Sequence, residues 1–277
     1  MTHPLLVIDG DSFAHRSYHA LPKTIRLLGN KGGGAIVGFA NFLLRLYETE
    51  RPRTVLVAWD SLDEPTYRNE ALPAYQSGRE FDDELVDQLD ILPEFVAACG
   101  FANAKAPGYE ADDFLAAAVA KAERRGAVLV ATGDRDAYQL ASAKTTILQP
   151  IKAGEMARIG PAEVRERYGV EPAQVPDFIA LRGDASDKIP GARGVGPKTA
   201  AGLLVKYGSL EKLLAGRFAA QADDLRLYRS IATMIRSAPL PSLKTQVPTW
   251  AKASALARQW ELNRLADPLA GLAQAET

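Results

Sequence analysis

The sequence predicts an α/β fold: a mostly parallel sheet flanked by helices, followed by a helical module. Short apolar runs, LLVID, VLVAWD and VLVATGD, recur along the first half of the chain with helix-patterned stretches between them. Runs of that kind read as strands buried on both faces. Each run closes on an aspartate: Asp9, Asp60 and Asp134. Beyond about Pro172 the strand signal stops and the pattern is helical.

The elements follow in order. AIVGFANFLLRLYE (35–48) has helical spacing after Gly32-Gly33-Gly34 and leads into VLVAWD, giving a β-α-β unit with an expected right-handed crossover. Residues 61–81 are polar and irregular. DDELVDQLDILPEFVAACG reads as a helix with acids in its first turn, a bend or division at Pro93 and a stop at Gly100. Gly108-Tyr109 precedes a helix over 110–125, capped by Gly126. VLVATGD and TTILQPI supply further strands, MARIG a strand edge, and Pro161 opens a helix. Pro239, Pro241 and Pro248 punctuate a looser C-terminal tail, expected to fold back on the first domain.

At 277 residues the chain can form one large domain, or one domain and a small module. No apolar run approaches the ~18 residues that span a bilayer. The short first apolar segment argues against a secretory leader. The single cysteine, Cys99, excludes an internal disulfide and reads as a buried thiol. A cytoplasmic protein without a membrane partner is expected. His3, His15 and His19 show no metal-ligand spacing.

Acids also cluster at Glu110-Ala111-Asp112-Asp113, at Asp134 and Asp136, and at Asp184 and Asp187. In open parallel sheets ligands collect outside the carboxyl ends of the strands, so three strand-end aspartates would crowd charge into one cleft. Such carboxylates repel and shift one another's pKa, and hard divalent cations, Mg²⁺ or Mn²⁺, resolve the repulsion. Each cluster also has a plainer reading. EADD can complement a helix dipole, TGDRD can be a solvated loop, and LRGDASD can be a helix stop with an Asx turn. Jointly these explain the pattern poorly. In EADD, Glu110 and Asp113 are expected to share a helix face, with Asp112 about a quarter-turn away. Asp11 and Asp63 read as turn residues. The chain has 33 bases and 34 acids; without those nine carboxylates, 25 acids remain and the balance is +8. A phosphate backbone is then an acceptable partner.

The second signal is IPGARGVGPKTAAGLLVKYGSLEKLL. Gly194-Val195-Gly196 forms a tight turn into a helix from Pro197, with Lys198 in its first turn. Backbone N–H groups there can hold a phosphate without reading sequence. This is the helix-hairpin-helix pattern of non-specific DNA binders.

With those residues in place, the chain resembles the flap endonuclease / 5′-nuclease family. It looks most like the 5′→3′ exonuclease domain that opens bacterial DNA polymerase I. GYEADD, TGDRDAYQL and LRGDASDKIPGARGVGPKTA carry the likeness in that order, from LLVIDGDSF to about Leu214. The resemblance implies a PIN-like catalytic domain over 1–171, with a helical arch at about 69–100. It further implies a helix-three-turn-helix module over 172–238 and a tail over 239–277 packed on the core. It puts Asp9, Asp60, Glu110, Asp112, Asp113, Asp134, Asp136, Asp184 and Asp187 at metal positions, holding two or more Mg²⁺ or Mn²⁺.

Other roles carry over by motif. Arg16 matches an arginine near the substrate phosphates. Arg68, Tyr75 and Arg79 match the arch base, with Tyr75 stacking on the terminal unpaired base and Arg79 on the scissile phosphate. Arg193, Gly194, Gly196, Lys198 and Thr199 fall on the DNA-binding hairpin, and Ser186 is the candidate ligand for a K⁺ ion there. Gln76 departs from the family's usual lysine, which puts turnover in doubt unless Arg68 or Arg79 compensates. With no polymerase sequence following, the resemblance implies a free-standing, monomeric 5′ nuclease. Its expected substrates are DNA flaps, overhangs and duplex ends, and RNA–DNA hybrids also qualify; polymerase and ligase are the expected functional partners. Two rival readings are a catalytically weak DNA-structure binder and a PIN-type ribonuclease.

Overall fold

A computed structural model describes residues 3–61, 64–78, 80–152 and 154–275. Its six-stranded sheet has the order β3-β2-β1-β4-β5-β6. The strands are β1 (Leu5–Asp9), β2 (Thr54–Ala58), β3 (Ala102–Ala104), β4 (Val128–Ala131), β5 (Thr145–Pro150) and β6 (Met156–Ile159). The first five run parallel, and β6 pairs antiparallel with β5 at the edge. β1 lies between β2 and β4, with Val7 beside Leu56 and Val130. The chain therefore switches sides at β1, where an α/β sheet opens a crevice at its carboxyl edge.

Alternation along β1 divides the core in two. Leu6 and Ile8 face α1 (Gly10–Ala20), α2 (Gly34–Glu50) and α4 (Asp83–Ala98). Leu5 and Val7 face α5 (Ala111–Ala122) and the helices that follow. Gly10 lets α1 start directly after β1, because a Cβ there would meet the Trp59 ring at 2.4 Å.

Over the expected arch, 69–100, the described residues form the end of one short helix, turns and a second helix. A short helix, α3 (Tyr67–Ala71), leads into a turn-rich strap, described at 72–78 and 80–82, and α4 then packs into the core. Leu85, Leu89, Leu92, Phe95 and Val96 bury α4's apolar face in the core. α4 continues through Pro93 rather than dividing there. α5 ends at Ala122, short of the expected Arg125, and β3 had no sequence signal.

The C-terminal tail is ordered by hydrogen bonds and burial. Gln246 bonds to the backbone of Arg53 and Val55, and Thr249 donates its hydroxyl to the Ala98 carbonyl and its N–H to the Cys99 carbonyl at the end of α4. Helices α11 (Trp250–Gln259) and α12 (Asn263–Ala275) follow as a hairpin, with Trp250 packed edge-on against Tyr47 and Phe101. Among the described residues no helix is long and apolar enough to cross a membrane.

Candidate metal centre and nucleic-acid interface

A cleft of about 1170 Å³ opens at the carboxyl edge of the sheet. It gathers eight of the nine acids expected there, all but Asp113, together with Asp11, Gln76, Ser186 and Lys198. Each acid is held by a local device. Asp9 caps α1, accepting from Ser12 N–H (3.0 Å) and from the Thr132 hydroxyl (2.7 Å). Thr132 Oγ1 in turn accepts from Asp134 N–H at 2.9 Å, tying the ends of β1 and β4 together. Asp60 Oδ1 accepts from Ala111 N–H (2.7 Å), which fixes the start of α5 beside β2. Asp11 Oδ2 accepts from Asp60 N–H at 2.7 Å, so this residue, read as a turn former, is a buried part of the cleft wall.

The electrostatics are those of acids forced together. Burial raises Asp9 to about 7, helped by the charges of Asp60 and Asp134 and opposed by its hydrogen bonds. Burial raises Asp11, Asp112 and Asp136 well above the carboxylate range, with neighbouring aspartates adding to it. Burial also raises Glu110, against the opposing charge of Arg68. Asp184 is the exception: burial pushes it up, but bonds from Ser186 and the charge of Arg182 outweigh this and hold it low. The donors are all hard oxygens, which suits Mg²⁺ or Mn²⁺. Among the described residues, however, no three potential ligands stand close enough to enclose one ion. The acids line the walls of one cleft.

Several expected roles change. Asp113 is fully buried and turned away from the cleft. It accepts two bonds from Arg68, one from Ile235 N–H and one from Glu110 N–H, as the third residue of the helix reaching back to its cap. Arg68 is only 3% exposed; it also lies 3.1 Å from Glu110 and donates to the Ile231 carbonyl, so it cannot meet a substrate phosphate. Tyr75 is buried at 5% exposure with its hydroxyl on Glu110, which closes its ring to stacking in this state. Arg16 lies on the far side of α1, bonded to the Ile151 carbonyl beside a separate cavity of about 260 Å³. One residue earlier, His15 does face the cleft, edge-on to Phe81. Arg79 and Asp63 lie outside the described residues.

The hairpin lies between α7 (Val175–Arg182) and α8 (Pro197–Tyr207). Gly191 crosses the backbone of Gly183 so closely that a Cβ would meet its nitrogen at 2.4 Å, and its φ is +75°. Gly194 and Gly196 are exposed and open, and Gly196 caps α8. Arg193, Lys198 and Thr199 are exposed there, and Arg193 N–H bonds to Gln221. Lys198 also borders the acid cleft, so one continuous surface joins the two features. Ser186 is not at the hairpin; its N–H and hydroxyl both bond to Asp184 within the acid loop.

Residues 4–169 match the family model of the 5′-3′ exonuclease N-terminal resolvase-like domain, and residues 170–261 match its C-terminal SAM fold. The chain belongs to the 5′-3′ exonuclease family. It is similar to DNA polymerase I of Mycobacterium bovis, 40% identical over 251 residues, covering 88% of this chain and 27% of that protein. With DNA polymerase I of Deinococcus radiodurans it is 44% identical over 216 residues, covering 76% of this chain and 21% of that protein. The chain thus spans about a quarter of the length of these relatives. Among solved structures, the T5 D15 protein co-crystallised with metal ions superposes with a TM-score of 0.72 at 17% identity, covering 98% of this chain and 99% of that one. The catalytic core of Rad2 in complex with DNA substrate gives 0.62 at 14% identity, covering 97% and 93%. At such identities these superpositions speak to the fold of this 5′-3′ exonuclease family member.

Proposed function

We propose that the chain is a structure-specific 5′ nuclease that hydrolyses DNA phosphodiester bonds at flaps, overhangs and duplex 5′ ends with divalent cations. The observation that carries this is the joining of eight acids and Lys198 of the hairpin helix in one cleft. In this reading Asp9, Asp60, Glu110, Asp112 and Asp134 would hold one ion, and Asp136, Asp184 and Asp187 the other. Two Mg²⁺ or Mn²⁺ ions there would supply an activated water and neutralise the charge of the leaving oxygen.

The chain's own residues do the positioning. Thr132 fixes Asp9 relative to Asp134, and Asp60 fixes α5 and its Asp112. The N–H groups at the start of α8, with Lys198, would hold the duplex backbone by phosphate contacts. That grip sets the distance from the duplex to the acids, which favours cutting near the single-strand junction. The base beside the cut must unstack to bring its phosphate in, at a cost of a few kcal/mol. Relatives and neighbours support DNA as the substrate: one structure is a T5 D15 flap endonuclease complex with DNA and metal ions. A K⁺ ion at the hairpin and service to a polymerase and a ligase belong to the same proposal.

A labelled 5′-flap DNA, incubated with and without Mg²⁺ beside an RNA-flap analogue, tests this reading. Mg²⁺-dependent cutting of DNA at the junction supports it, and Asp134→Asn keeps binding while losing cleavage. Flap binding without cutting identifies a DNA-structure binder instead; preferential cutting of the RNA analogue identifies a ribonuclease.

A further inference from the structure

We propose that Lys188 is a cation that meets a substrate phosphate on the strap side of the acid cleft, an inference that rests on the nuclease reading above. A phosphodiester entering a ring of carboxylates needs positive charge from protein as well as from metal. Three nearby arginines are committed. Arg68 is buried between Asp113 and Glu110, Arg182 is paired with Asp184 at 2.8 Å, and Arg167 is bonded to Tyr138 and Gln149 at 2.7 and 2.8 Å. Lys198 and Arg135 border the cleft, but neither belongs to the strap. Among the described residues of the strap, 72–78 and 80–82, none is cationic; Arg79 lies outside them.

Position 76 on the strap is neutral. Gln76 borders the cleft, and its side-chain N–H₂ donates to Asp187 (3.0 Å) and to the Tyr75 hydroxyl (2.8 Å). Lys188 follows Asp187 directly, is exposed, and reaches across to the strap. Its ammonium donates to the Ser77 carbonyl and, at 2.9 Å, to the Ser77 hydroxyl. Both acceptors are neutral, and a phosphate oxygen accepting from an ammonium makes the stronger, charge-assisted bond. The long stem lets the ammonium leave Ser77 without moving the backbone. That backbone is itself unusual: Lys188 has φ +56°, within a turn closed by paired bonds between Asp184 and Ile189. Left-handed non-glycine residues are uncommon and concentrate at functional sites.

The test uses the full chain with a 5′-flap DNA and two readouts. Binding is followed by fluorescence anisotropy in Ca²⁺ across a salt series, and cleavage by single-turnover rates in Mg²⁺. Lys188→Asn is the informative variant, because asparagine tolerates positive φ and is uncharged. It is expected to lower the slope of log K against log salt by ~0.7–0.9, one phosphate contact, and to slow cleavage at least tenfold. Lys188→Arg is expected to keep both, and Gln76→Lys in the Lys188→Asn background to restore both. An unchanged slope in Lys188→Asn overturns the inference, whether or not the rate falls, since a slower rate alone would mark Lys188 as a structural pin for the strap. Failure of Gln76→Lys to restore either readout also overturns it. If the parent binds the flap without cutting it, the nuclease reading fails while the salt slope still decides Lys188; if the parent does not bind, both fall.

Discussion

Arg68 and Asp113 form a two-pronged ion pair, with contacts of 3.0 and 2.9 Å, from which water is almost wholly excluded. Its other bonds reach Ile231 and Ile235, so it joins α3, α5, α10 (Ala222–Ala232) and the segment after it into one unit behind the acid cleft.

Removing one member of a buried pair strands the other, at about 3–5 kcal/mol. Asp113→Asn and Arg68→Met are each expected to lower the urea midpoint accordingly, whereas a double replacement by apolar residues should cost less than their sum. At a temperature where the variant remains folded, Asp113→Asn should keep the parent's Mn²⁺ affinity. Asp112→Asn should lose it. Equal Mn²⁺ affinity in these two variants would return Asp113 to the ligand set.

The raised acids predict how pH acts on stability. Asp9, at about 7 in the fold against 3.8 in the unfolded chain, binds its proton more tightly when folded. Its contribution is therefore fully present below about 4 and is lost as pH rises through about 7. Asp11, Asp112 and Asp136, raised well above 3.8, act in the same direction. In EDTA, the Tm contribution of these groups should fall from pH 5 to pH 8. Cations must displace those protons, so Mg²⁺ at about a hundred times Kd should raise Tm by about 5–10 °C at pH 8 and far less at pH 5. Thermal melts with and without Mg²⁺ check this; an equal gain at both pH values would contradict it.

At the hairpin, Lys198→Ala should weaken binding to duplex DNA equally for unrelated sequences and reduce the salt slope by about 1. The folded state should be unaffected, since Lys198 is exposed. Anisotropy titrations on two duplexes of different sequence, each across salt, measure it. A loss confined to one sequence would mean base contacts, not phosphate contacts.

The strand-end acids were legible because β-branched runs announce buried parallel strands, and a parallel sheet puts their carboxyl ends on one edge. The glycine-lined hairpin was legible for a similar reason: GVGPK fixes both a turn and a helix start. Residues whose roles depend on distant partners were not. Arg68 and Asp113 stand 45 positions apart, and nothing local signals that they meet. Helical spacing placed Asp113 beside Glu110, but as a capping residue it reaches back to the Glu110 N–H and away from the cleft. β3, with the sequence ANA, carries no β-branched residue and is only three residues long. The burial of α4 was readable in its own apolar spacing, Leu85, Leu89, Leu92 and Val96. Asp11 looked like a turn former, and only the fold brings its carboxylate to the Asp60 N–H.

Anomalous scattering from crystals grown in Mn²⁺ tests the central claim most directly, that these acids close on a pair of cations. Two peaks ~3.5–4 Å apart, ringed by Asp9, Asp112, Asp134 and Asp136 with their side chains drawn inward, are the predicted result. Acids still splayed around the cleft at saturating Mn²⁺, with no peak among them, would contradict it.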